Sequence, residues 1–198
     1  MASLSHPTPP VAAPLHRPPM WAWPLAILVG FPIGGLIANS VVGPVDSVGA
    51  ALACGLLAGA VIGSAQWLAL RPLVPWIWIA ATSVGMAAGL AVGAAVVDYG
   101  ISRADLVLMG ALTGVAVGVL QALVLARQRI PGAAWWAAAN PPAWALGWLV
   151  TSYVISSNVE EQFPNFGAGG ALLFALLTGA LLAWMFRRMD AQRLASTP

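Results

Sequence analysis

The chain has 198 residues, 60% of them hydrophobic and only 7% charged, and its net charge of +2 comes from eight arginines with no lysine. A soluble domain carries about 25% charged residues, so the composition argues against a water-soluble globule and for a membrane protein. Scattered arginines without a basic stripe give no nucleic-acid footprint, and a single cysteine, Cys54, allows neither an intrachain disulfide nor a cysteine metal site.

In chain order, the first 19 residues are proline-rich, hold His6, His16 and Arg17, and lack the apolar stretch of a signal peptide. They read as a disordered tail. Six apolar runs follow, at about 21–41, 47–70, 75–97, 104–127, 134–156 and 167–187. Each meets the ~20 residues needed to cross the hydrocarbon of a bilayer as a helix. The expected architecture is all-α and integral to the membrane. It comprises a tail at 1–19, a six-helix transmembrane domain at 20–189 and a second tail at 190–198.

Within every run a small residue recurs at i, i+4 and i+8. The triplets are Gly30/Gly34/Ala38, Gly55/Gly59/Gly63, Gly85/Gly89/Gly93, Gly110/Gly114/Gly118, Ala143/Gly147/Thr151 and Ala175/Gly179/Ala183. A spacing of four keeps them on one helix face. In water such glycines weaken a helix; in lipid they let backbones approach, which is how helices associate there.

Charge placement predicts the topology. Arg17, Arg71, Arg127, Arg129, Arg187, Arg188 and Arg193 lie on one side with Asp190, while Arg103 faces Asp46, Asp98, Asp105, Glu160 and Glu161 on the other. By the positive-inside rule both termini are cytoplasmic, in the inner membrane. Trp21, Trp23, Trp67, Trp76, Trp78, Trp135, Trp136 and Trp184 fall near the cytoplasmic ends and read as one interfacial belt. Trp144 and Trp148, inside the fifth run, either fill space against a glycine-lined partner or face lipid.

The helices also alternate in type. Odd ones place a tryptophan seven residues before the first small position, as in Trp23/Gly30, Trp78/Gly85 and Trp136/Ala143. Even ones follow the triplet with a larger residue: Gln66, Gln121 and Phe186. The chain therefore reads as three tandem hairpins of one orientation, 21–72, 75–129 and 134–189, about an axis along the membrane normal. The pattern Gly-x3-Gly-x2-Gln-x-Leu-x-Leu, at Gly59 and at Gly114, resembles that of small Gly/Trp-rich polytopic membrane proteins of bacteria. The resemblance implies a bacterial membrane protein and supplies no activity, substrate or cofactor.

Gln66 and Gln121 are the best-placed polar pair, sharing the glycine face of their helices and lying about one and a half turns from the cytoplasmic end. They are either interhelical hydrogen-bond partners or amides lining a cavity for a polar headgroup. Asn140-Pro141-Pro142 is expected to kink or restart the fifth helix, with Asn140 satisfying freed backbone or contacting a ligand. Asp98 is expected to be solvated or paired with Arg103. No histidine, carboxylate or arginine lies near the centre of any run, which leaves no haem ligand, imidazole base or ion-coupling group. No phosphate loop is present, and the odd helices lack the Pro-x-acid-x-x-base signature of mitochondrial carriers. The expectation is a non-enzymatic structural or accessory component of a membrane assembly, without cofactor or metal. Its partners would be the bilayer and either a second copy or another membrane protein. The alternative is a passive binder or facilitator of a small apolar or lipidic molecule, with Gln66, Gln121 and Asn140 as its polar contacts. Glutamines around an open cavity favour the alternative; glutamines buried between touching helices favour packing.

Overall fold

In the computed structural model the described residues are 18–154 and 168–195. Most of the expected amino-terminal tail, the connection holding Asn158, Glu160, Glu161 and Pro164, and residues 196–198 lie outside them. The described residues form six helices: α1 (Ala22–Val42), α2 (Val48–Leu70), α3 (Ile77–Val96), α4 (Arg103–Arg127), α5 (Ala133–Val154) and α6 (Ala168–Ala195).

Local chemistry sets the ends. Ser47 caps α2 by accepting from the Ala50 amide at 3.2 Å. Ser102 and Asp105 form a reciprocal capping box on α4, so Asp105 also complements the helix dipole. At the far end of α4, Arg129 turns left-handed (φ 55°) and Ile130 N–H returns to the Leu125 carbonyl at 3.0 Å. Asp98 and Tyr99 close α3 with two left-handed residues (φ 47° and 56°) and a 2.8 Å bond from Tyr99 N–H to the Ala94 carbonyl. The Arg103 guanidinium lies 4.0 Å over the Tyr153 ring.

Two expectations about helix extent change. α6 continues past the apolar run through Arg187, Arg188, Asp190 and Arg193 to Ala195, so most of the expected tail at 190–198 is helical. These residues include good helix formers with no glycine or proline to stop them. α5 runs through Pro141 and Pro142 as one helix and does not restart there.

The helices form a closed ring. Each packs against the next in sequence and α6 returns to α1; among the described residues no other pair of helix backbones comes close, and the remaining helices meet only through side chains. Neighbours are antiparallel: along α3, Gly85, Gly89 and Gly93 meet Val117, Thr113 and Met109 of α4 in reverse order. One end of the ring therefore gathers Arg71, Arg127, Arg129, Arg187, Arg188 and Arg193 with Asp190; the other holds Asp46, Asp98, Arg103 and Asp105. Leu36, Val41, Leu68, Val84, Val96, Leu123 and Leu176 point outward. α1, α2, α3, α4 and α6 are long and apolar enough to span a membrane. α5 matches their length, but Asn140, two prolines and four tryptophans lower its apolarity.

Candidate functional site in the bundle core

The odd helices turn one stripe of residues, spaced by four, toward the ring axis. These are Trp23/Ile27/Phe31 on α1, Trp78/Thr82/Met86 on α3 and Trp136/Asn140/Trp144 on α5, all at most 2% exposed. The even helices answer with Cys54/Ala58/Ile62/Gln66, Met109/Thr113/Val117/Gln121 and Phe174/Thr178/Leu182/Phe186, all buried. Side chains thus occupy the axis. Aromatic rings stack in layers: Trp136 lies 5.7 Å from Trp23 and 6.0 Å from Trp78, and Phe31, Trp144 and Phe174 form a triangle with centroids 5.4–5.5 Å apart. Such pairs add about 0.5–1.5 kcal/mol each beyond the area they bury.

This corrects the reading of the tryptophans as one interfacial belt. Trp21, Trp76 and Trp135 are exposed as expected, but Trp23, Trp78 and Trp136 are buried in the core. The overlooked signal was the spacing of four that joins each inner tryptophan to two further core residues. Trp21 and Trp23, two residues apart, point about 200° from each other on a helix. Trp144 and Trp148 fill space inside the bundle, and Trp148 covers Gly110.

The inner tryptophans meet the glutamines. Gln66 Oε1 accepts from Trp78 Nε1 at 3.0 Å and from Gln121 Nε2 at 3.0 Å. Gln121 Nε2 also donates to Thr82 Oγ1 at 2.8 Å, and Gln121 Oε1 accepts from Trp136 Nε1 at 2.9 Å. The Thr82 hydroxyl donates to the Trp78 carbonyl at 2.9 Å. One neutral network thereby ties α2, α3, α4 and α5 together. Between α6 and α1, Phe186 stands in the corresponding place, and Trp23 Nε1 donates to Thr178 Oγ1 at 2.9 Å. A buried amide left without partners in apolar surroundings costs several kcal/mol, so these bonds are the condition for placing glutamine here. The side chains of this network are the two glutamine amides, two indoles and the Thr82 hydroxyl, all neutral.

Asn140 stands one helical turn beyond Trp136, and its Nδ2 donates back to the Trp136 carbonyl at 2.8 Å. Its Oδ1 is buried without a hydrogen-bond partner. Its side chain packs over Gly118 beside the Ala137 carbonyl, whose i+4 donor is missing because residue 141 is proline. Asn140 does not bond to either glutamine. Among the described residues, no three His, Cys, Asp or Glu side chains gather into a set that could hold a metal ion.

The small-residue stripes point forward around the ring, each to the next helix. A Cβ on Gly30 would sit 3.0 Å from Ala65, and one on Gly34 would sit 3.0 Å from the Ala58 carbonyl. Gly55, Gly59 and Gly63 face Ala87, Ser83 and Thr82, and Gly89 would bring a Cβ to 2.5 Å from Thr113 Cα. Gly110, Gly114 and Gly118 receive Trp148, Pro141 and Asn140 of α5, while Gly147 offers its carbonyl to Gly170 of α6. Gly179 differs: a Cβ there would meet only Trp23 Cδ1, at an ordinary 3.4 Å. Several of these positions look onto a backbone carbonyl, an arrangement suited to weak Cα–H···O contacts.

Comparison with known proteins finds no matching family model, no matching curated protein and no matching solved structure.

Proposed function

We propose that the chain is a non-enzymatic multi-pass protein of the bacterial cytoplasmic membrane, acting as a rigid structural or accessory component of a membrane assembly. All six helices cross the bilayer, α5 included, since its length and its place in the ring match those of its neighbours. The arginine-rich end faces the cytoplasm, by the charge bias of its loops. The architecture is three hairpins of common descent. In support, Trp78 bonds to Gln66 and Trp136 to Gln121 in the same way, 55 residues apart at the glutamines. The third hairpin has drifted, with Phe186 for glutamine and Thr178 as the tryptophan's acceptor.

The observation that carries the functional reading is the Gln66–Gln121 contact at 3.0 Å, with both residues buried. These amides bond directly to each other, as interhelical partners do. The partners of such a bundle are the bilayer and either a further copy of the chain or another membrane protein. Purification in mild detergent followed by intact-complex mass spectrometry should recover a defined assembly. Proteoliposomes that take up or convert a small apolar or lipidic molecule, and lose that property in the Gln66→Leu/Gln121→Leu variant, would overturn the reading.

A further inference from the structure

The α6–α1 interface is built unlike the other five. α1 and α6 are not neighbours in sequence, so no short loop joins them. Glycine docking also stops here. At each of the other interfaces a Cβ added to a glycine would come within 3.0 Å of the facing helix, whereas one on Gly179 meets Trp23 Cδ1 at 3.4 Å. Phe186 takes the place held elsewhere by Gln66 and Gln121, and the polar tie is the bond from Trp23 Nε1 to Thr178 Oγ1 at 2.9 Å. At the arginine-rich end, Pro18, Pro19 and Met20 line a small crevice with Leu70 of α2 and with Leu182 and Phe186 of α6. The Ala22 amide holds the Pro19 carbonyl at 2.9 Å, which fixes this segment to the start of α1. We propose that the ring parts reversibly at α6–α1 while its other five interfaces stay closed, and that residues 18–20 strap this seam shut.

Inside a bilayer, helices are held by close packing and hydrogen bonds, because lipid chains solvate a parted apolar face as well as a neighbouring helix does. Opening therefore costs least where packing is loosest and fewest polar groups lose partners. At the glycine-docked interfaces, parting would empty notches fitted to the facing helix. Between α2 and α5 it would also break the glutamine network. At α6–α1 the Thr178 hydroxyl keeps its own bond to the Phe174 carbonyl at 2.6 Å, so the Trp23 indole N–H is the group that loses its partner. Trp23 is the second residue of α1, at the end of the span where the interface supplies water and headgroup acceptors.

Opening of this kind rests on the membrane placement proposed above. For the test, the full chain carrying Cys54→Ala is reconstituted into liposomes with nitroxides on Leu25→Cys and Ala180→Cys, two exposed sites beside the seam. A second pair, Leu56→Cys and Val84→Cys, flanks the α2–α3 interface, where Ser83 Oγ donates to the Leu56 carbonyl. Double electron–electron resonance should read one distance for the α2–α3 pair, and for the seam pair a main distance with a minor longer one. Thr178→Val leaves the Trp23 indole without its acceptor, and Met20→Ser weakens the strap. Each should raise the longer population about fivefold and leave the α2–α3 pair unchanged. One unaltered seam distance in wild type and both variants overturns the seam, and so does broadening of both pairs together. A response to Thr178→Val without one to Met20→Ser overturns the strap. A longer distance that singly labelled protein also shows comes from association of copies and counts against the seam. Protein that fails to co-float with the liposomes sinks the membrane placement and this inference with it; co-floating protein whose seam never parts sinks this inference alone.

Discussion

At the scale of the residue, the informative atoms are the indole nitrogens of Trp78 and Trp136. Each must donate inside an apolar bundle, and each finds a glutamine oxygen on the preceding even helix. Replacing Gln121 with leucine leaves Trp136 Nε1 without its acceptor, and replacing Trp136 with phenylalanine removes the donor. The two changes should therefore be less than additive. A double-mutant cycle in mixed micelles should give a coupling of about 0.6–1.7 kcal/mol. Additive losses would mean that the bond contributes nothing to folding. Gln66 and Gln121 were visible in the sequence as a repeat-related pair, but their partners were not. Trp78 and Trp136 sat among eight tryptophans near one interface, where headgroup anchoring explains all of them equally well until rotation about the helix axis is known.

At the scale of the element, each interface pairs a notch with a ridge: glycines on one helix, and larger side chains or carbonyls on the next. The i, i+4, i+8 spacing made the notches legible, because a single helix determines which of its own residues share a face. The pairing also ranks the interfaces. Gly89→Ala, in α3, forces a Cβ against the Thr113 backbone, and overpacking of this kind typically costs about 1–3 kcal/mol. Gly179→Ala, at the α6–α1 closure, meets one ring carbon at contact distance and should change stability by less than about 0.5 kcal/mol. Denaturant titration of both variants in mixed micelles measures the contrast; equal losses would refute the ranking. α5 shows the opposite limit of legibility. Its prolines promised a kink or a restart, and the helix does not restart: it is packed on one side against the glycine stripe of α4 and carries the Asn140 bond to the Trp136 carbonyl.

At the scale of the whole molecule, six antiparallel helices close into a ring whose ends differ in charge and whose axis is filled by aromatic and amide side chains. The proposed orientation is open to direct test, because Cys54 is fully buried and should not react with a membrane-impermeant maleimide in the folded protein. A cysteine placed at Asp46 should be labelled from outside intact cells, and one placed at Arg129 only after the membrane is opened. The reverse pattern would invert the topology, and labelling of both would break the alternation of the helices.

Composition and periodicity alone determined that the chain is helical, where its helices lie and which stripe of each is narrow. Those properties depend on one helix and its solvent. Tertiary structure decided which tryptophans turn inward, which neighbour each glycine stripe receives, and that the two glutamines bond to each other. These outcomes depend on the relative rotation of six helices. That rotation is set jointly, when the ring closes and every buried donor must find an acceptor.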